Sequence, residues 1–303
     1  MPLDAKLREM FYFSALRRGV KAALVAQIML LLSLSLASCG SSETGATLAA
    51  ARYQTDESLD VAVLDDAGSP TGQTLDLYFP VLEGNTTDGR PLLVLVHGGG
   101  FDSGSTLDFQ EAARRFAGSG YVAVVPSYEL SPAASTESAS GILDMDKVLN
   151  ALNKSVDDVR EALNFVDRFK NKYGVDTSTV GVIGISAGGA TSLAIESTDS
   201  RLVPLNNEIG IEAIVGFSTM LGPPLWPAIP EGPAPVRIVN YEVDTASTPV
   251  AYDATDTIAE FQAKGGEASI EFIPGSGHDQ RIIDNLPLFE DFLLEHVELT
   301  STQ

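Results

Sequence analysis

The feature that most constrains what this chain can fold into is an alternation of apolar runs and helical patterns. Continuous or period-2 apolar runs, bounded by turn residues, recur near 60–65, 73–79, 91–97, 121–127, 180–185, 211–217, 236–242 and 268–273. Patterns with apolar residues at 3 and 4 spacing fall between most of them, over 106–118, 155–172, 187–198, 249–264 and 281–297. Runs that are apolar on successive residues suit strands buried on both faces, and intervening helices supply the crossovers that parallel pairing requires. The expected fold class is α/β, with a mostly parallel eight-stranded sheet and helices on both faces. The first two runs are joined by Gly68-Ser69-Pro70, which leaves no room for a crossover helix, so they are expected as a hairpin at an antiparallel edge. Between the sixth and seventh runs, residues 223–235 hold six prolines and are expected not to be helical.

Ahead of this pattern, Arg17, Arg18 and Lys21 precede an apolar run over 22–36 that is too short to span a bilayer. It has the layout of a signal-peptide core. The next residues, Leu36-Ala37-Ser38-Cys39, resemble the lipobox of bacterial lipoproteins, in which the signal is cut before the cysteine and that cysteine is lipidated. Cys39 is also the only cysteine in the chain, which excludes an intramolecular disulfide. The expected organisation is a signal over 1–38, a lipidated Cys39 with a Gly/Ser/Thr/Ala-rich tether over 39–55, and one catalytic domain over 56–303. The expected location is the exported face of a bacterial membrane, reached through the lipid on Cys39. Gly40, which stands where an inner-membrane retention signal has Asp, implies the outer membrane if the organism has two.

The formal charge is −22, and residues 1–38 carry five basic side chains against two acidic ones, so the remainder stands at about −25. Such a surface repels phosphate backbones, and no nucleic-acid partner is expected.

The chemistry begins at Gly184-Ile185-Ser186-Ala187-Gly188, which follows one apolar run and opens a helical pattern. A serine on a sharp strand-to-helix turn needs small neighbours, because bulky ones would strike the adjoining strand or helix. A second element, His97-Gly98-Gly99-Gly100-Phe101, ends the third run. Glycines there let backbone N–H groups approach a ligand oxygen, and the N–H groups of Gly99, Gly100 and Ala187 are the expected oxyanion donors.

Together these elements resemble the α/β-hydrolase fold over about 74–189, in particular the HGGG-type esterase and lipase group related to hormone-sensitive lipase. Further matches are Leu75-Asp76-Leu77-Tyr78-Phe79-Pro80, Val156-Asp157-Asp158-Val159-Arg160-Glu161-Ala162-Leu163 and Tyr173-Gly174-Val175-Asp176. The segment after Tyr128-Glu129-Leu130-Ser131-Pro132 departs from that group by being longer and Ser/Ala-rich.

Three histidines are available as the base. His97 belongs to the glycine loop, and His296 falls on an apolar helix face with Phe289, Phe292 and Leu293, which suits packing. His278, in the loop after the last strand, is the expected base. The chain order Ser, Asp, His of this fold then calls for an acid after a strand between Ser186 and His278, and Asp244, at the end of the seventh run, is expected over Glu242, which alternates to the opposite face, and over Asp253 and Asp256, which are expected inside the next helix. The expected activity is hydrolysis of a small-molecule or glycan carboxylic ester through an acyl-enzyme on Ser186, with no metal and no cofactor. Phe101, Leu221, Leu225 and Trp226 are the candidate substrate-pocket residues, the last three on a short proline-rich lid. An amide or peptide hydrolase on the same triad and a non-catalytic, surface-tethered binding protein are the alternative readings. Neither the acyl and alcohol groups nor the oligomeric state follow from the sequence.

Overall fold

The computed structural model describes residues 55–81, 89–132, 144–245, 253–278 and 282–299. The expected signal, Cys39 and nearly all of the tether lie outside them.

Eight strands make one sheet among the described residues: β1 (Thr55–Leu64), β2 (Pro70–Pro80), β3 (Arg90–Val96), β4 (Val122–Pro126), β5 (Val175–Ile185), β6 (Ile211–Phe217), β7 (Val236–Asp244) and β8 (Ala268–Gly277). Their spatial order is β1-β2-β4-β3-β5-β6-β7-β8. β2 runs antiparallel to both β1 and β4, and all other neighbours are parallel. The expected hairpin therefore stands at one edge. Several strands extend past their apolar runs because backbone pairing continues where side chains turn polar. β1 starts at Thr55, whose segment pairs with Leu77–Pro80, and β5 reaches back to Val175 opposite Arg90.

The even burial of β2 to β7 separates two cores. Leu92, Val94, Val96, Val122, Val124, Val180, Val182, Ile214 and Ile238 meet α2 (Met145–Arg168), α4 (Ala187–Leu193) and α5 (Ala254–Ala263) on one face. The alternate residues Leu93, Leu95, Ala123, Val125, Ile183, Ile185, Val215 and Val239 meet α1 (Gln110–Gly118) and α6 (Glu290–His296) on the other. Each fully buried aliphatic side chain contributes about 1.5–3 kcal/mol relative to exposure, so a strand covered on both sides is held at every residue.

The helices depart from their sequence-expected bounds for local reasons. α2 begins at Met145, not 155, because Asp144 caps it by accepting from the Lys147 N–H. It ends at Arg168 with Phe169 as its C-cap, and the short α3 (Lys170–Tyr173) closes on left-handed Gly174. α4 stops at Leu193 rather than 198, and the buried Arg160 guanidinium donates to the Ile195 and Ser197 carbonyls just beyond it. α5 starts behind a capping box of Asp253 and Asp256, so Asp253 is its cap and not an interior residue. The expected helix over 281–297 is split into a 3-10 turn (Ile282–Leu288) containing Pro287 and α6. Likewise, residues 106–109 ahead of α1 are 3-10.

The proline-rich segment corrects an expectation outright. Pro223–Ala228 is a 3-10 helix. Pro223 and Pro224 occupy its first positions, where an N–H has no partner in any case, and so short a helix asks little of Pro227.

Candidate active site

In a parallel sheet the strands end together, and their C-terminal ends form one rim. On that rim β3 leads into His97–Phe101, β5 into Ser186, β7 ends at Asp244, and β8 leads into His278. Four segments far apart in sequence thus come to one edge.

Ser186 adopts φ 54° and ψ −119°, a conformation that L-residues rarely take and that surroundings must enforce. Its N–H donates to the Phe217 carbonyl at 2.8 Å, and its own carbonyl accepts from the Ala190 N–H and the Thr219 hydroxyl, each at 3.0 Å. The turn is also too tight for side chains beside it. A Cβ on Gly188 would lie 2.2 Å from the Val96 carbonyl oxygen and 2.3 Å from that of His97. The elbow therefore rests directly on the end of β3.

His278 Nε2 lies 3.0 Å from Ser186 Oγ, and His278 Nδ1 lies 2.8 Å from Asp244 Oδ1. The three residues selected from sequence are thus joined by two hydrogen bonds of normal length. With the Asp244 carboxylate accepting from Nδ1–H, Nε2 carries the lone pair and faces the serine hydroxyl, which is the tautomer a general base requires. The competing carboxylates are occupied elsewhere. Glu242 accepts from the Gly275 N–H, and Asp253 caps α5. His296 stacks edge-on against Phe292 at 4.7 Å, with Nε2 3.8 Å from Glu267, as expected of a packing histidine.

The glycine loop is held in a set shape. Gly99 (φ 106°), Gly100 (φ 63°) and Phe101 (φ 66°) run in succession through left-handed backbone. The Asp102 and Ser103 N–H groups close on the Gly99 carbonyl. Among the described residues, the N–H groups of Gly99, Gly100 and Ala187 take no acceptor.

The sequence reading missed what secures this loop. The Tyr128 hydroxyl donates to both the His97 and Gly98 carbonyls at 3.0 Å, and its ring stacks on His97 at 4.1 Å and 16°. The Ser131 N–H donates to the Phe101 carbonyl at 2.6 Å, so 128–131 clasps the loop at both ends. Asp158 on α2 in turn accepts from the Glu129 N–H at 2.6 Å. Burial pushes the Tyr128 phenol up, keeping it a donor, and pushes the His97 imidazole down, keeping it neutral. Tyr128 and Asp158 stand in the quoted family-like stretches, but nothing in their local sequence links them to the loop.

Of the expected pocket residues, Phe101 is buried edge-on against Tyr128. Leu221 and Leu225 are buried in the α2, α4 and α5 layer, and the Trp226 Nε1–H donates to the Leu221 carbonyl. With Leu193, Ile229 and Phe261, Leu221 and Leu225 line a small recess. The triad does not line it.

Sheet order, the rim of strand ends and the strained serine define an α/β-hydrolase fold. A family model described as BD-FAE matches residues 75–220, just under half of the chain. Among solved structures, the chain is similar to Thermogutta terrifontis esterase 2 phosphorylated by paraoxon, with 19% identity, a TM-score of 0.61, and coverage of 82% of this chain and 96% of that one. It is similar also to the propionate-bound form (18%, TM-score 0.61, coverage 84% and 98%) and the butyrate-bound form (19%, TM-score 0.60, coverage 84% and 98%) of the thermophilic esterase from the same organism. No curated protein matches the chain.

Proposed function

We propose that the protein is a serine hydrolase of carboxylic esters, with Ser186 as nucleophile, His278 as general base and Asp244 as the acid that orients it. The observation that carries this reading is the pair of bonds from one imidazole, 3.0 Å to Ser186 Oγ and 2.8 Å to Asp244 Oδ1. His278 Nε2 takes the hydroxyl proton as Oγ attacks the ester carbonyl, and the N–H groups of Gly99, Gly100 and Ala187 receive the oxyanion. Collapse expels the alcohol, which takes the proton back from Nε2. Water, deprotonated by the same nitrogen, then releases the acid and regenerates Ser186.

Support for esters comes from the BD-FAE match and from the similar esterase structures, two of which hold propionate and butyrate. Short acyl esters, free or on a glycan, are the proposed substrates, with Phe101 beside the glycine loop; the expected pocket role of Leu221, Leu225 and Trp226 is not kept, because they pack in the helix layer away from Ser186. The hormone-sensitive-lipase-like subgroup is part of this reading, resting on His97-Gly98-Gly99-Gly100-Phe101. So is a lipid anchor at Cys39.

The test is Ser186→Ala. The variant should fold as the wild type does, yet lose p-nitrophenyl acetate and butyrate turnover and all labelling by a fluorophosphonate probe. Retained labelling at another serine would overturn the assignment, and hydrolysis of amides but not esters by the wild type would move the protein to the amidase alternative.

A further inference from the structure

The strain at Ser186 requires an explanation that the triad does not supply. A non-glycine residue at φ 54° is strained and persists only where neighbours over-determine it. Two of the three bonds that fix the Ser186 peptide groups come from the end of β6 and the segment just after it: the Phe217 carbonyl takes its N–H, and the Thr219 hydroxyl reaches its carbonyl. That segment is strained as well, with Ser218 at φ 46° and its N–H held by the Val239 carbonyl at 2.9 Å.

Space has been cleared for the threonine. A Cβ on Gly189 would come within 2.7 Å of Thr219 Cβ and Cγ2, and one on Gly216 within 2.6 Å of Thr219 Cγ2. Two glycines, one on α4 and one on β6, thus admit a β-branched side chain into a site where it is 6% exposed. Its backbone is gripped from β7. The Asn240 Oδ1 accepts from the Thr219 N–H at 3.0 Å, and the Asn240 Nδ2 donates to the Thr219 carbonyl at 3.2 Å, so one amide side chain caps both polar groups of one residue. Asn240 is 9% exposed and lies on the strand that ends at Asp244.

We propose that Thr219 and Asn240 are positioning residues for the nucleophile: β7 sets the acid through Asp244 and sets the serine through Asn240, Thr219 and the Ser186 carbonyl. The proposal rests on Ser186 being the nucleophile. It assigns the Thr219 hydroxyl, rather than its methyl, the task of keeping Oγ on the line to His278 Nε2. Any movement of the elbow opens the 3.0 Å contact on which proton transfer depends.

The experiment compares Thr219→Val, which keeps the shape and deletes the hydroxyl, with Thr219→Ser, which keeps the hydroxyl and deletes the methyl. Turnover and KM for p-nitrophenyl butyrate are read beside the rate of fluorophosphonate labelling at saturating probe. Thr219→Val should lower kcat and the labelling rate together by about 10-fold, with KM within twofold, since misplacement of a reacting group by 1 Å costs about 10² in rate and a smaller shift costs less. Thr219→Ser should stay within threefold of wild type. Asn240→Ala should reproduce the Thr219→Val effect, and the double variant should be no slower than the worse single, because the two act on one bond. Wild-type kcat in Thr219→Val overturns the proposal, as does a larger loss in Thr219→Ser, which would assign the residue to packing. A raised KM at unchanged kcat also overturns it by making Thr219 a substrate contact. These outcomes are separable from failure of the functional reading, which Ser186→Ala alone decides.

Discussion

Gly188→Ala sets two physical effects of opposite sign against each other. Gly188 lies in the first turn of α4, where alanine is the better helix former by about 1 kcal/mol, so propensity alone favours the change. Space opposes it. The added Cβ would stand 2.2 Å from the Val96 carbonyl oxygen and 2.3 Å from that of His97, whereas a carbon and a carbonyl oxygen ordinarily approach to about 3.3 Å. Both obstructing atoms are backbone, so either the end of β3 or the start of α4 must retreat by about 1 Å. Overpacking of that size costs about 1–3 kcal/mol or more, which exceeds the propensity gain. The expected net loss is about 1–2 kcal/mol in urea unfolding followed by the fluorescence of Trp226, the one tryptophan in the chain. Activity should suffer more, because the displacement lies between the serine and the oxyanion loop, and misplacement by 1 Å costs about 10² in rate. Gly232→Ala is the control. It has φ 61° and nothing within 4 Å, so it should cost about 1 kcal/mol from backbone strain with kcat unchanged. A Gly188→Ala protein with wild-type kcat and raised stability would refute the reasoning.

Three further outcomes can be measured directly. Asp244→Asn should lower kcat by up to about 10⁴ by favouring the wrong imidazole tautomer, while Asp253→Asn and Asp256→Asn stay near wild type; collapse of Glu242→Gln instead would relocate the acid. Asp158 is held up at about 6, mainly by burial and further by Glu161 and Glu129, against the Glu129 N–H and Lys154. Its folded value exceeds the unfolded one, so the native state binds the extra proton between about pH 4 and 6, and the group's contribution falls as pH rises through that window. Asp158→Asn should accordingly be more stable than wild type by about 1–2 kcal/mol above pH 7, after allowance for solvent screening, and equal to it below about pH 4; parallel urea midpoints at pH 4 and pH 8 would exclude this. Cys39→Ala should abolish metabolic labelling with palmitate and release the protein from the detergent phase, whereas an unlabelled wild type removes the anchor from the reading.

The sequence by itself determined the periodicities and the residue types at turns. Continuous or period-2 apolar runs marked all eight strands, and the central ones, covered on both faces, left a signal at almost every residue, unlike the more exposed edge strands β1 and β8. Gly184-Ile185-Ser186-Ala187-Gly188 and the glycines after His97 were legible because close backbone approach admits almost no other residue. With three histidines in the chain, elimination left His278. Helix ends were poorly legible. They depend on Asp144 as a cap, on Arg160 reaching across to the carbonyls after α4, and on how short a helix tolerates Pro227, none of which is a periodic property. Only the tertiary structure decided the support around the serine. Tyr128 bonds to carbonyls 30 and 31 residues away, Asp158 to an amide 29 away, and Asn240 to a backbone 21 away. These are ordinary polar residues in a strand, a helix and the loop after β4, and their roles arise from strand order, which brings β4, β6 and β7 beside the glycine loop and the elbow. A hydrogen bond between distant segments leaves no mark on either segment alone.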